Sequence, residues 1–283
     1  MALWTLPSLA WGQIRPSRTQ SLLPVLRPDS VGALAGEWMQ VEMQRGWGST
    51  MDEQAWQLRL HAGVALWRMD TATTLAFTAH HELTASPFSS IGFNPRTARW
   101  EEQLMIQRQL ENLVLTAGAF HRCKHDVDNN EPPDDDTSRR DYIPTRRAIV
   151  LSGLAVRADW LPNANTIMGA GIEWNALRGD YRTPGGTDPG SWNAMAGVIT
   201  LRATHALPLS AHASIVGRAW AGIPLFTDGR PLAADARAEV VLRLRRVTTL
   251  EICASVDHQF DDVVFLNQGS TTVWQIGLRI GGG

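Results

Sequence analysis

The sequence predicts an all-β protein: an antiparallel transmembrane β-barrel of about twelve strands. Three observations carry that expectation: a period-two alternation of apolar and polar residues from Glu37 to Ile280, segments long enough to cross a bilayer, and connections that alternate between short and long. Successive side chains of a strand point to opposite faces, so a sustained period of two marks a sheet with unlike faces. The clearest stretch sets Trp56, Leu58, Leu60, Ala62, Val64 and Leu66 against Gln57, Arg59, His61, Gly63, Ala65 and Trp67. A helix would put those polar residues on every side.

The same alternation places strands at residues 37–45, 54–68, 72–83, 98–109, 111–123, 146–160, 166–176, 191–205, 210–223, 235–246, 249–260 and 270–281. Many reach the ~9 to 11 residues of a tilted membrane strand, whereas soluble strands run nearer 5 to 6. Short connections fall at residues 69–71, 110, 161–165, 206–209 and 247–248, and long ones at 46–53, 84–97, 124–145, 177–190, 224–234 and 261–269. Short periplasmic turns and long extracellular loops are the sorting that a membrane barrel shows and a sandwich has no reason to adopt.

The two faces differ in the matching direction. One collects Met39, Val41, Leu75, Phe77, Leu104, Ile106, Leu113, Leu115, Val240, Leu242, Leu244, Ile252, Val256, Ile276 and Leu278. The other collects Gln40, Glu42, Arg59, Glu101, Gln103, Gln107, Arg157, Glu173, Arg202, Arg218, Glu239, Arg243, Arg245, Glu251, Asp257 and Arg279. In a closed sheet the first set meets membrane lipid and the second lines a lumen, with every backbone group paired. Trp38, Trp56, Trp100, Trp160, Trp174 and Trp274 lie toward strand ends and are expected to form interfacial girdles.

Composition narrows the function. Twenty-six basic against 28 acidic residues give a net charge of −2, which argues against a nucleic-acid partner, since phosphate binding calls for a basic excess. Charged residues interrupt every apolar run before the ~18 to 20 residues of a spanning helix. Residues 1–12 read as the remnant of a secretory signal, with Ala10-Trp11-Gly12 as its cleavage site, residues 13–36 as an irregular lead-in, and 37–281 as the barrel. Cys123 and Cys253 suffice for one bridge or none, and no cofactor or phosphate-loop motif is present.

Three residues stand out chemically. His121, Cys123 and His125 share one strand face, the lipid-facing one by parity with Leu113 and Leu115. A thiolate is a nucleophile, and histidine is the base that generates it. The trio therefore forms a candidate catalytic group at the root of the longest loop. That loop carries Asp126, Asp128, Glu131, Asp134, Asp135, Asp136 and Asp141. Clustered oxygen ligands can hold calcium, although the spacing matches no calcium loop and the metal stays unknown. His81 shares the outward parity, while His61 and His212 are expected to point inward and join the hydrogen bonds of the lumen.

From residue 37 to 280 the pattern resembles the bacterial outer-membrane β-barrels as a class, which implies an outer-membrane location. His121-x-Cys123 resembles the His-x-Ser of the outer-membrane phospholipase A family; that likeness makes His121 base and Cys123 nucleophile, with Asn129 or Asn130 as orienting amide. Phe120, His121, Cys123 and His125 also resemble a Tyr-His-x-Ser-Ser-His stretch in an uncharacterised barrel family. Three functions are therefore expected: a structural barrel or narrow channel passing small solutes, a lipid hydrolase or acyl transferase, and a soluble β-sandwich binding module.

Overall fold

The computed structural model describes residues 32–47, 56–86, 94–126, 146–183, 191–229, 234–245, 248–259 and 271–282. Twelve strands close into one antiparallel barrel: β1 (Gly32–Trp47), β2 (Trp56–Arg68), β3 (Thr73–Ser86), β4 (Asn94–Leu110), β5 (Leu113–Asp126), β6 (Arg146–Asn163), β7 (Thr166–Thr183), β8 (Met195–Pro208), β9 (Ala213–Phe226), β10 (Asp235–Arg245), β11 (Thr249–Gln259) and β12 (Thr271–Gly282). Each strand pairs with its chain neighbours, and β1 meets β12 to complete the ring. Closure leaves no edge, so the backbone is paired throughout the wall. The soluble sandwich is thereby excluded. β1 starts inside the segment expected as lead-in, and the signal expected at residues 1–12 lies outside the described residues.

The strand ends joined by short intervals, β2 to β3, β4 to β5, β6 to β7, β8 to β9 and β10 to β11, all lie at one rim, and the strand ends separated by long intervals lie at the other. Local chemistry closes the short turns. Asp70 Oδ1 accepts from the backbone N–H groups of Ala72 and Thr73, both at 2.7 Å, and Asn163 Oδ1 accepts from Asn165 N at 2.9 Å. These side chains stand in for backbone acceptors, as turn Asp and Asn do.

Outward residues are exposed and apolar, for example Val240 (61%), Leu278 (54%) and Leu104 (49%), while their inward neighbours Gln103 and Arg279 are buried at 1% and 4%. An apolar exterior around a polar interior inverts the soluble arrangement and is stable only against lipid. No helix among the described residues is long and apolar enough to cross a membrane. The strands make the crossing.

The tryptophan girdle differs from the expected one. Trp38 points inward at 6% exposure, in step with Gln40 and Glu42, so it belongs to the lumen. Trp47 is exposed beside its register partner Trp274, and Trp67 is turned outward by the register shift between Ala65 and Trp67. Neither was among the expected girdle residues. A second shift, between Ser152 and Gly153, brings two backbones together: a Cβ on Gly153 would lie 1.8 Å from the carbonyl oxygen of Trp174. Only glycine fits there.

The lumen is filled. Arg279 reaches Glu42 (2.7 Å), Glu239 (2.8 Å) and Glu251 (2.6 Å), and Arg218 reaches Glu239 and Glu251, both at 2.9 Å. Arg59 pairs with Glu42 and Glu82, Arg122 with Glu101 and Glu173, and Asp159 with Arg157 and Arg202. An apolar plug joins the ion pairs: Met105 of β4 and Phe120 of β5 pack with Leu151 of β6 and Val198 of β8. Between Met105 and Trp220 of β9 lies a void of about 20 Å³, room for about one water.

Candidate functional site

A run of polar residues breaks the apolar exterior on β3 to β6, toward the rim with the long intervals, apart from the exposed pairs Thr166–His205 on β7 and β8 and His258–Thr272 on β11 and β12. Charged or polar groups on a lipid-facing wall are costly, so such a cluster is a site by default. Alternation along β5 turns Phe120, Arg122 and Lys124 into the lumen, where all three are buried, and sends His121, Cys123 and His125 outward as expected.

The trio separates, His121 meeting Ser152 and Cys123 meeting His125. His121 is exposed, and its Nδ1 lies 2.8 Å from Ser152 Oγ on the adjacent strand β6. Cys123 Sγ lies 2.9 Å from His125 Nε2, and the His125 ring stacks on Trp100 with centroids 4.8 Å apart and planes within 2°. That stack leaves Cys123 only 4% exposed. Both cysteines are free thiols, and Cys253 is buried in the lumen, donating to the Gly277 carbonyl at 3.3 Å.

Sequence reasoning missed two members of the cluster. Glu102 on β4 and Ser152 on β6 are the register partners of His121 on either side, so Glu102, His121 and Ser152 run straight across three strands. A signal for both existed: Glu102 continues the outward series Leu104 and Ile106, and Ser152 the outward series Leu154 and Val156, so each is a polar residue on the lipid face. Asn129, Asn130 and the acidic residues from Asp128 to Asp141 lie outside the described residues. Among the described residues no group of three or more His, Cys, Asp or Glu is arranged to hold a metal.

Two histidines depart from expectation. His212 sits exposed in the turn before β9, which starts at Ala213, so it does not point into the lumen. His61 does face inward, but it hydrogen-bonds to nothing there and packs instead against His80. His81 is exposed on the outer face, beside its register partner Trp100. Further round the wall, small residues Ala203, Ala219, Ala238 and Ala254 line a groove of about 770 Å³ bordered by Trp47, Trp274 and Met168. It lies on the lipid-facing side.

No protein family and no curated protein matches this chain. Among solved structures it is similar to the outer membrane phospholipase A from Escherichia coli, at 10% identity and a TM-score of 0.48 over 86% of this chain and 92% of that one. It is similar to the NanC porin at 10% identity and 0.48, over 84% and 98%, and to the KdgM porin at 7% and 0.43, over 85% and 97%. At those values the likeness carries nothing about activity. The closed ring, the apolar exterior and the sorted rims of this chain stand on their own geometry: it is a β-barrel of the outer-membrane type in contact with membrane lipid.

Proposed function

We propose that the chain serves in an outer membrane as a barrel with a sealed lumen, structural at rest and passing small solutes only if its interior network parts. The supporting observation is the interior itself, where arginine–carboxylate pairs and the Met105, Phe120 and Leu151 plug occupy the bore. Twelve strands enclose a bore that side chains of this size can fill. Purified protein in a planar bilayer is expected to give no steady conductance. A constant ohmic step from the unmodified barrel would overturn the proposal.

A second reading is favoured by the 2.8 Å contact between His121 and Ser152 on the exposed wall. In it the cluster cleaves a carboxylic ester of a membrane lipid. Ser152 Oγ attacks the ester carbonyl as His121 takes its proton, the alcohol leaves with that proton, and water releases the carboxylic acid from the acyl-serine. Glu102, in register on the far side of His121, orients the imidazole. In this arrangement Cys123 with His125 is the alternative nucleophile and base, shielded by Trp100. A fluorophosphonate probe should label the folded barrel, with labelling lost in Ser152→Ala and His121→Ala and kept in Cys123→Ala. Labelling lost only in Cys123→Ala moves the chemistry to the second pair, and no labelling with no lipid hydrolysis removes the reading.

A further inference from the structure

Inside the barrel, one cluster of unmet polar groups centres on two histidines. His61 of β2 and His80 of β3 are register partners, both face the lumen, and both are fully buried. Their ring centroids are 3.9 Å apart at 60°, and all four ring nitrogens lack a hydrogen-bond partner. Thr78 Oγ1, Gln103 Oε1 and the indole N–H of Trp38 are unpartnered as well. These residues are neighbours by register: Thr78 opposes Gln103 across β3 and β4, and both Trp38 and Thr78 oppose Gly63. Gly63 has no room for a side chain, since a Cβ there would stand 2.3 Å from Trp38 Nε1. Leaving one buried polar group unmet costs about 1 to 3 kcal/mol, and here several lie together beside a network in which Arg59 and Arg122 are each matched to carboxylates.

The geometry points to a metal site in the lumen: His61 and His80 chelate one borderline divalent transition-metal ion, with Gln103 Oε1 and Thr78 Oγ1 as neutral oxygen donors. A neutral imidazole keeps one lone pair for a ligand bond, and two of them across a strand pair make a bidentate chelate. Nitrogen donors select zinc, copper, nickel or cobalt over calcium and magnesium, which take oxygen shells. With two imidazoles and no carboxylate in the set, affinity rests on the histidine pair. Loss of either one removes the chelate. Both histidines are buried at 0% exposure, so loading is expected to accompany folding and release to require the lumen to open.

The test is to refold the full chain into detergent micelles with Zn²⁺ present, then desalt it against EDTA and count retained metal. One equivalent is expected in the unmodified protein and in His81→Ala, where the adjacent outward histidine is lost, and none in His61→Ala or His80→Ala. Heat-modifiable gel mobility confirms that each variant is folded. If the alanine variants do not fold, the unmodified protein refolded with Cu²⁺ gives the answer alone, because two imidazoles imprint nitrogen hyperfine structure on the copper resonance. Zn²⁺ retained equally by all variants, or absent from the unmodified barrel, overturns the proposal, as does a copper spectrum without nitrogen coupling.

Discussion

Arginine placed at Ile172 tests the whole account of the wall. Ile172 is 53% exposed in mid-β7, and its register partners Val156 and Ile199 are apolar and outward too. Met168, on the same strand and face but next to the short-turn rim, is almost equally exposed at 48%. If the exterior faced water, arginine at either position would lie within about ±0.5 kcal/mol of neutral, as surface changes do. Against lipid, depth decides: about 2 to 4 kcal/mol is lost at the midplane and about 0 to 1 near the interface. The two variants should therefore differ by roughly 2 to 3 kcal/mol, or about 30- to 150-fold in the folding equilibrium. Reversible urea titration in phospholipid vesicles, followed by tryptophan fluorescence, measures that gap. Equal costs at both positions would refute lipid contact along β7 despite the matched exposures.

Removing the lumenal guanidinium in Arg279→Ala should cost about 3 kcal/mol, the lower end for a broken buried pair, because Glu42, Glu239 and Glu251 each keep another arginine; the same urea titration measures it, and a neutral result would mean that the network contributes nothing to stability. Cys123 should react slowly with an impermeant maleimide and quickly once Trp100→Ala removes the platform under His125, while Cys253 stays unlabelled until the barrel unfolds. Gly153→Ala should lower refolding yield sharply, since its Cβ has no space beside the Trp174 carbonyl, and a normal yield would show that the bulge can relax. In the turn after β2, the backbone N–H of Ala72 foremost, with that of Thr73, holds the Asp70 carboxyl below its ordinary value. A depressed carboxyl gives stability that is present above about pH 4 and lost as pH falls through the lowered value, so Asp70→Asn should flatten only the acid limb of the stability profile.

The features legible in the sequence were those that repeat. Strand number, inward and outward sets and the sorting of the rims each rest on a dozen repetitions of one pattern, so a local irregularity does not erase them. Trp38 lies inward because parity outranks aromatic character near a strand end, and Gln40 and Glu42 put that position on the inner face. Trp67 was beyond reach: the shift at Ala65 and Trp67 reverses its face, and nothing in the alternation announces a bulge. His212 was lost to a boundary of three residues at the start of β9. The partnership of His121 with Ser152 needed the register of β5 against β6, which depends on pairing across a long connection and not on the period within either strand.

The lumen and the wall obey opposite rules, and the contrast bears on where function sits. Inside, arginines are matched to carboxylates, so much of their burial is met locally, whereas the histidine pair leaves all four ring nitrogens unmet. Outside, stability alone would favour apolar side chains at Glu102, His121 and Ser152, as at Leu104, Ala119 and Leu154 two residues further along the same strands. A barrel selected only to stand in the membrane gains less from a polar row aligned across three strands on its lipid face than from apolar side chains, even with the His121–Ser152 hydrogen bond joining two of its members. Local rules are broken at functional sites, where something other than stability offsets the cost. The outer row on β4, β5 and β6 and the inner pair on β2 and β3 both break them, and the two can be tested separately because they occupy opposite faces of the wall.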